Sequence, residues 1–239
     1  MEEKNVAIVL AAGQGRRMGA DRPKQFLEIR EKPILYYALH VFQESPLIQE
    51  IILVTGEEMI GYCQKEIVER FNLDKVKHIV CGGAERYLSV CEGLKCCSDS
   101  TYVFIHDGAR PFISEAMLER ALEAARQYQA CVVGMPSKDT IKIADVRGFI
   151  AKTPSRERVW NIQTPQVFSS KLIRRAYGKL MQSDVTGITD DAMVVEHMTS
   201  RKIRLVEGSY ENIKITTPED LVVAEAFLES LDIEGEGTP

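Results

Sequence analysis

The stretch Leu10-Ala11-Ala12-Gly13-Gln14-Gly15-Arg16-Arg17-Met18-Gly19 follows an apolar, β-branched run, Val6-Ala7-Ile8-Val9, near the start of the chain. The apolar run is typical of a buried strand in a parallel sheet. Three glycines come after it, where the backbone can approach a ligand without a Cβ in the way. Nearby lie four cations, in a chain of formal net charge −5: Arg16, Arg17, Arg22 and Lys24. Free backbone N–H groups beside clustered basic side chains favour a polyphosphate site.

Two other interpretations of this loop stand beside the phosphate site. A glycine-rich turn after a first strand occurs in many α/β proteins, and a basic run is often only a solvated face. The two familiar phosphate-binding motifs, however, fail on detail. Met18 stands where the dinucleotide fingerprint Gly-x-Gly-x-x-Gly needs its third glycine. No Gly-Lys-Ser/Thr follows, as the common P-loop requires.

Length and composition are those of a globular protein. The 239 residues suit one large α/β domain or two small ones, and we expect a single domain over residues 1–231 with a disordered tail at 232–239. A pI near 5.5 gives no ground for broad attraction to nucleic acid or membranes. No uncharged apolar stretch approaches the roughly 20 residues of a membrane span. The first residues lack signal-peptide character, so we expect a cytoplasmic location.

The cysteines predict neither a disulfide framework nor a metal centre. The chain has six of them, without a Cys-x-x-Cys pair or a histidine at zinc spacing. Most lie in apolar surroundings typical of buried free thiols.

Strand-like and helix-like runs alternate along the chain, which predicts an α/β fold: a three-layer, mostly parallel, Rossmann-like sheet covered by helices on both faces. The predicted strands are 6–10, 50–55, 78–81, 101–105, 130–135, 203–206 and 212–216. The predicted helices are 34–43, 57–71, 85–97, 114–127, 171–181, a helix capped near Asp190 and ending at Met198, and 218–231.

Residues 137–155 interrupt this alternation. Two short β-favouring runs, 140–143 and 149–152, flank a turn at 145–148 and predict a β-hairpin that projects from the body as an arm. Composition leaves open whether the arm is a lid, a dimer contact or an inert insertion.

Ligands of an open parallel sheet bind at the carboxyl ends of its strands. Four segments fall there: the Gly13/Gly15 loop, Gly82-Gly83, His106-Asp107-Gly108 and Met135-Pro136. The Asp107 carboxylate at such a place can bind Mg²⁺ or a sugar hydroxyl, or serve only as a turn or capping residue. Beside a polyphosphate loop the metal interpretation gains weight, because a polyanion in an acidic protein requires a cation. Asp190 and Asp191 are a second source of carboxylates, although their expected role is at a solvated helix start.

Several motifs in order resemble those of the 2-C-methyl-D-erythritol 4-phosphate cytidylyltransferase family, over nearly the whole chain to about Leu231. They are residues 10–19 with Pro23-Lys24-Gln25-Phe26, His106-Asp107-Gly108-Ala109-Arg110-Pro111, Arg156-x-x-x-Trp160-x-x-Gln163-Thr164-Pro165-Gln166, Thr189-Asp190-Asp191-Ala192 and Asn212-Ile213-Lys214-Ile215-Thr216. One departure is Ala84, where relatives often carry Asp after the glycine pair.

The resemblance implies an in-line attack by the phosphate of methylerythritol phosphate on the α-phosphorus of CTP, which expels pyrophosphate. Both reactants are anions, so positioning and charge neutralisation must supply most of the catalysis. The polyphosphate site in an acidic protein separately predicts Mg²⁺ as cofactor. The resemblance further implies a homodimer whose hairpin arm reaches into the neighbour's site.

Residue roles follow from the same resemblance. The residues expected to be catalytic are Arg17, Lys24 and Lys214. Those expected to bind the nucleotide are Ala11, Ala12, Gly13, Gly15, Arg16, Gly83, Ala84 and Ser89. Those expected to bind the sugar-alcohol phosphate are Asp107, Gly108, Arg110, Thr140, Arg156 and Thr164. Asp107 is also the expected metal contact, directly or mostly through the CTP phosphates.

Three alternative functions are considered. Ribitol-5-phosphate cytidylyltransferases share much of this pattern, but their loop tends to read Ala-Gly-Gly-x-Gly-Ser-Arg. A non-catalytic nucleotide sensor would keep the loop without needing Arg17, Lys24, Asp107 and Lys214 together. A nicotinamide-dependent oxidoreductase would need the missing glycine and an acidic residue ending the second strand, which here ends Val54-Thr55-Gly56.

Overall fold

The computed structural model describes residues 3–13, 23–97, 99–184 and 186–235. Its strands are β1 (Asn5–Ala11), β2 (Glu28–Ile29), β3 (Lys32–Pro33), β4 (Glu50–Thr55), β5 (Val76–Cys81), β6 (Tyr102–Asp107), β7 (Ala130–Pro136), β8 (Ile143–Ala144), β9 (Ile150–Lys152), β10 (Trp160–Ser169) and β11 (Arg204–Glu207). Its α-helices are α1 (Ile34–Glu44), α2 (Ile60–Tyr62), α3 (Arg86–Lys95), α4 (Glu115–Tyr128), α5 (Ser170–Leu180), α6 (Asp191–Met198) and α7 (Pro218–Gly235). Short 3-10 turns lie at Lys24–Phe26 and Arg156–Arg158, and α2 lies between a 3-10 turn and the π-helical Cys63–Glu69.

The main sheet has seven strands in the order β11-β7-β10-β6-β1-β4-β5. Every neighbouring pair is parallel except those of β10, which runs antiparallel to both β6 and β7. The mostly parallel sheet is therefore confirmed. Strand β10 was not predicted, because its first half is polar. Gln163, Thr164 and Gln166 are nevertheless buried there.

Helices cover both faces of this sheet, as predicted. Side chains alternate along β1, so that Ala7 and Val9 join one core cluster while Val6 and Ile8 join the other. The first cluster also contains residues of α1 and α4, and the second contains residues of α3, α5 and α6. This packing fixes β1 and β6 rigidly between two helical layers.

The end of the chain differs from the prediction in two places. Residues 212–216 form no strand; they are an irregular segment tied to neighbouring loops. Asn212 Nδ2 donates to the Thr164 carbonyl at 2.9 Å, and the Ile215 N–H donates to the Ala109 carbonyl at 2.9 Å. Helix α7 continues to Gly235, so residues 232–235 are helical rather than part of a tail; residues 236–239 lie outside the described residues.

Two predicted helix caps have different outcomes. Ser114 precedes α4 as expected, but its side chain makes no capping hydrogen bond. Asp190 does cap α6, since its carboxylate accepts from the Met193 N–H at 2.9 Å.

The predicted hairpin is present in a shorter form. Strands β8 and β9 pair as a separate two-stranded sheet. Asp145 closes the turn by accepting from the N–H groups of Arg147 and Phe149, and Gly148 adopts a φ of 87°. The hairpin is exposed along most of its length, and its apolar side chains Val146, Phe149 and Ile150 lie open to solvent.

All six cysteines are free thiols, and three of them are fully buried. Among the helices of the described residues, none combines the length and apolar character needed to span a bilayer.

Candidate active site

The first cavity opens at the carboxyl ends of β1, β5 and β6 and encloses about 320 Å³. It is lined by Leu10, Ala12, Gly13, Lys24, Gln25, Gly83, Ala84, Glu85, Arg86, Ser89, Asp107, Ala109, Lys214 and Thr216. Backbone from two glycine-containing loops forms one wall, and charged side chains form the other.

A second cavity of about 250 Å³ adjoins the first. Its lining residues are Arg86, Asp107, Arg110, Ile162, Gln163, Thr164, Gln166, Thr189, Asp190 and Lys214. The two cavities share Arg86, Asp107 and Lys214. Any group transferred between ligands in the two cavities would pass this charged boundary.

Asp107 is the centre of that boundary. Arg86 Nε donates to its Oδ1 at 3.0 Å, and Lys214 Nζ donates to its Oδ2 at 2.6 Å. Burial alone would raise the pKa of Asp107, but the charges of Arg86 and Lys214 outweigh burial and hold the pKa well below its ordinary value. The carboxylate is therefore ionised and fully engaged by cations.

Arg86 also forms an ion pair with a second carboxylate, that of Asp191. Their Nη2 and Oδ2 atoms are 2.9 Å apart, and Asp191 is completely buried in the first turn of α6. Its Oδ1 accepts from the Tyr177 hydroxyl at 2.6 Å. Burial and the Asp191 charge raise the pKa of Tyr177 well above its ordinary value, so the phenol keeps its proton. The expectation that Asp191 lies at a solvated helix start is wrong, because Arg86 draws its carboxylate inward.

Gln166 attaches α6 to the site. Its Nε2 donates to Asp190 Oδ2 at 2.9 Å, and its Oε1 accepts from the Ala192 N–H at 2.8 Å. The first turn of α6 is thereby fixed to β10, the strand whose early residues line the second cavity.

A neutral histidine orders the residues beside Asp107. Burial lowers the pKa of His106 to about 4, so its ring carries no charge near neutral pH. His106 Nε2 lies 3.0 Å from the Arg110 carbonyl, which can only accept, so Nε2 carries the proton. The Thr164 hydroxyl then donates to His106 Nδ1 and accepts from the Asp107 N–H, both at 3.0 Å. The peptide bond between Thr164 and Pro165 is cis.

Arg110 joins two segments that face the second cavity. Its Nη1 donates to the Asn212 carbonyl at 2.6 Å and its Nη2 to the Ile162 carbonyl at 3.4 Å. The guanidinium therefore fixes the loop that carries Lys214 against the start of β10.

The backbone wall of the first cavity is shaped by Gln25 and Ser89. Gln25 Nε2 donates to the Ala11 and Gly13 carbonyls. Ser89 Oγ accepts from the Gly83 N–H at 3.1 Å. A Cβ added at Gly82 would lie 2.5 Å from the Ala12 Cβ, so only glycine lets the two loops meet this closely.

The structure brings together most of the expected site residues. Those that line a cavity are Ala12, Gly13, Lys24, Gly83, Ala84, Ser89, Asp107, Arg110, Thr164 and Lys214. Ala11 and Gly108 lie directly behind the lining, through the bonds from Gln25 to Ala11 and from Gly108 to the Leu10 carbonyl. Thr140 and Arg156 are exposed near the hairpin and line neither cavity. Gly15, Arg16 and Arg17 lie outside the described residues.

Sequence reasoning missed several lining residues. Met135-Pro136 ends its strand as expected but lines neither cavity. The missed polar residues are Gln25, Glu85, Arg86, Gln163, Gln166, Thr189, Asp190 and Thr216. Of these, Arg86 had a usable signal, since it follows the glycine pair that ends β5.

Metal-binding groups are sparse in this site. The described residues contain no cluster of three or more His, Cys, Asp or Glu side chains arranged to hold an ion. Asp107 has both oxygens paired with cations. The residues therefore fit a divalent ion that arrives with a ligand's phosphates better than one held in a protein cage.

Comparison with known proteins gives consistent matches. Residues 5–230 match the family model described as IspD: 2-C-methyl-D-erythritol 4-phosphate cytidylyltransferase. A protein of that name from Lachnoclostridium phytofermentans is 49% identical over 226 residues, which are 95% of this chain and 97% of the relative. One from Lachnospira eligens is 48% identical over 225 residues, covering 94% of this chain and 99% of the relative.

Solved structures show the same similarity. The 4-diphosphocytidyl-2C-methyl-D-erythritol synthase of Anaerococcus prevotii superposes with a TM-score of 0.84 at 37% identity, covering 95% of this chain and 96% of the other. The 2-C-methyl-D-erythritol 4-phosphate cytidylyltransferase of Thermus thermophilus gives 0.74 at 29% identity, covering 93% and 98%.

Proposed function

This chain belongs to the 2-C-methyl-D-erythritol 4-phosphate cytidylyltransferase family, and from that premise we infer that its two adjoining cavities hold the two substrates of that reaction. The enzyme transfers the cytidylyl group of CTP to 2-C-methyl-D-erythritol 4-phosphate. The products are 4-diphosphocytidyl-2-C-methyl-D-erythritol and pyrophosphate, in the non-mevalonate route to isoprenoid precursors.

The observation that supports this arrangement best is the shared boundary of the cavities. The first cavity has the glycine loops suited to a nucleotide, and the second has the polar side chains suited to a sugar alcohol. Arg86, Asp107 and Lys214 belong to both. The α-phosphorus of CTP would thus lie next to the acceptor phosphate, as in-line attack requires.

In this proposal the chain's cations stabilise the transferring phosphate. An oxygen of the acceptor phosphate forms a new bond to the α-phosphorus, and the bond to pyrophosphate breaks. Negative charge crowds at this phosphorus, so donors fixed beside it lower the barrier. Lys24, in the 3-10 turn Lys24–Phe26, and Lys214, in the irregular segment 212–216, both line the cavity and serve this role. Arg17 joins them by resemblance.

Nucleotide contacts come from the first cavity. Ala12 and Gly13 offer backbone groups to the nucleotide, and Ser89 fixes the lining residue Gly83 by accepting from its N–H. We assign Ala84 to the nucleotide through its main chain, because its methyl side chain cannot form a hydrogen bond. Ala11, Gly15 and Arg16 complete the proposed nucleotide set by resemblance.

The acceptor is proposed to bind in the second cavity, where Asp107, Arg110 and Thr164 face it and Gly108 lies just behind. Thr140 and Arg156 are exposed and line neither cavity of their own chain, so we propose that they complete the site of a partner in a homodimer. The solvent-exposed Val146 and Phe149 of the hairpin support this, because apolar side chains clustered on an arm favour burial against a second chain.

We propose Mg²⁺ as the cofactor, bound through the CTP phosphates with Asp107 as an indirect contact. When bound, the ion would neutralise phosphate charge and orient the leaving pyrophosphate. The protein's own part is to hold Lys24 and Lys214 around the phosphate chain.

A cytoplasmic location is proposed from the thiols. All six cysteines are free, including three that are fully buried. Such a thiol inventory is typical of a reducing compartment.

Pyrophosphate release tests the function directly. CTP, UTP and ATP are each paired with methylerythritol phosphate and with ribitol phosphate. We expect release only with CTP and methylerythritol phosphate. Faster release with ribitol phosphate would favour the related ribitol-5-phosphate enzyme. CTP binding by calorimetry without release from any pair would indicate a nucleotide sensor.

A further inference from the structure

A chain of charged contacts extends from the active site into the helical layer. Lys214, Asp107, Arg86, Asp191 and Tyr177 contact one another in that order, at 2.6, 3.0, 2.9 and 2.6 Å. The first three residues line the cavities. Asp191 and Tyr177 line neither of these two cavities and carry no assigned role.

Stability alone is a weak reason for this arrangement. Replacing a buried ion pair by well-packed apolar residues is often neutral or stabilising, because desolvation offsets the attraction. Asp191 is nevertheless completely buried and has each oxygen beside a different partner. Such a carboxylate fixes the direction of its partner's guanidinium more effectively than it strengthens the fold.

The partner in turn fixes Asp107. Arg86 uses two different nitrogens of its guanidinium for the two carboxylates, Nε in a hydrogen bond with Asp107 and Nη2 in an ion pair with Asp191. With Nη2 held, the Nε donor is aimed at Asp107 Oδ1. Oδ2 then remains with Lys214, and the carboxylate lies at the boundary of both cavities.

We propose that Asp191 is a positioning residue for the acceptor subsite, which acts through Arg86 to set the orientation of the Asp107 carboxylate. The position of α6, which carries Asp191, indicates that Asp191 acts on the acceptor subsite rather than on the nucleotide subsite. The preceding residues Thr189 and Asp190 line only the second cavity, and Gln166 ties that turn to β10. This inference rests on the proposed function, because Asp107 is assigned there to the acceptor.

The central test compares Asp191→Asn with Val195→Ala on the same helix. Val195 is fully buried in the apolar core, so its truncation destabilises α6 without touching the charged chain. We expect Asp191→Asn to raise KM for methylerythritol phosphate about tenfold or more and to leave KM for CTP nearly unchanged. Val195→Ala should lower Tm and leave both KM values nearly unchanged. A lower Tm for Asp191→Asn without a change in acceptor KM would overturn the proposal.

A double-mutant cycle tests whether Asp191 acts through Arg86. Arg86→Lys keeps the charge but loses the planar guanidinium geometry, in which two nitrogens contact two carboxylates at once. If Asp191 acts through that geometry, Asp191→Asn should add little to the loss already caused by Arg86→Lys. If the two substitutions together raise the acceptor KM by the product of their separate factors, Asp191 does not act through Arg86. If Asp191→Asn fails to fold, Tyr177→Phe takes its place. This substitution removes the hydrogen bond to one Asp191 oxygen and should raise the acceptor KM by a smaller factor. An unchanged acceptor KM would refute the proposal.

Wild-type activity separates this inference from the function on which it rests. No release of pyrophosphate by the wild-type enzyme would refute the function. Normal wild-type turnover with unaltered acceptor KM in these variants would refute only the positioning role.

Discussion

Replacing His106 by Gln should remove a large part of the acid sensitivity of the fold. His106 is completely buried between the Arg110 carbonyl and the Thr164 hydroxyl, and burial lowers its pKa from 6.5 to about 4. The hydrogen bond to the Arg110 carbonyl and the nearby Asp107 charge oppose this shift, whereas the charges of Arg110 and Arg86 reinforce it. In the unfolded chain the imidazole is exposed and takes up a proton near its ordinary pKa.

The sign of the effect follows from these two values. As the pH falls, the unfolded chain binds the proton first, so the free energy of unfolding decreases between about pH 6.5 and pH 4 and then levels off. The full difference corresponds to about 3 kcal/mol, of which about 2 kcal/mol is lost between pH 7 and pH 5. That upper range avoids the carboxylates with lowered pKa values, such as Asp107, whose contribution is lost at lower pH.

Urea unfolding at pH 7, 6 and 5 measures this loss. Gln can keep the donation to the Arg110 carbonyl but leaves Thr164 without its acceptor, so His106→Gln should cost about 1 kcal/mol at pH 7. Its stability should then change little down to pH 5. His197→Gln removes an exposed histidine and should keep the wild-type slope. Parallel curves for wild type and His106→Gln would refute the reasoning.

Three further predictions concern the proposed chemistry. Lys24→Ala should lower kcat about a hundredfold or more by removing a transition-state donor, and the exposed Lys32→Ala is its control in the pyrophosphate assay. Arg156→Ala should raise KM for methylerythritol phosphate more than KM for CTP; equal increases would contradict its assignment to the acceptor. Phe149→Asp should shift the enzyme toward monomer in sedimentation experiments, and an unchanged sedimentation coefficient in a dimeric wild type would exclude Phe149 from the interface.

The apolar strands were the most predictable part of the fold. Residues 50–55 form β4 with the predicted bounds, and every one of them is buried. Such strands are covered on both faces, so most of their length is apolar and easily recognised. Strand β10 could not be recognised by apolar residues, because Gln163 and Gln166 are buried there through hydrogen bonds to specific partners. Gln163 donates to the Ser209 carbonyl, and Gln166 pairs with Asp190.

The site was predictable where short motifs carry it and unpredictable where distant segments meet. The glycine pair and the carboxylate at the end of a strand were enough to predict Gly83 and Asp107 as site residues, and both line the first cavity. The contact of Arg86 with Asp191 joins segments far apart in the sequence, and no local pattern marks such a pair. The same holds for Asn212, which looked like the start of a strand but is buried by its bond to Thr164.

The antiparallel direction of β10 has a consequence for how this enzyme can be remodelled. Strand β7 leaves the sheet at the catalytic edge, and β10 re-enters at that edge, with Trp160 paired to Pro136. The intervening hairpin therefore leaves and rejoins the sheet at the same place. Its length and tip can be redesigned, or exchanged between homologues, without shifting the register of any core strand. The arm is thus structurally separable from the scaffold that carries the two cavities.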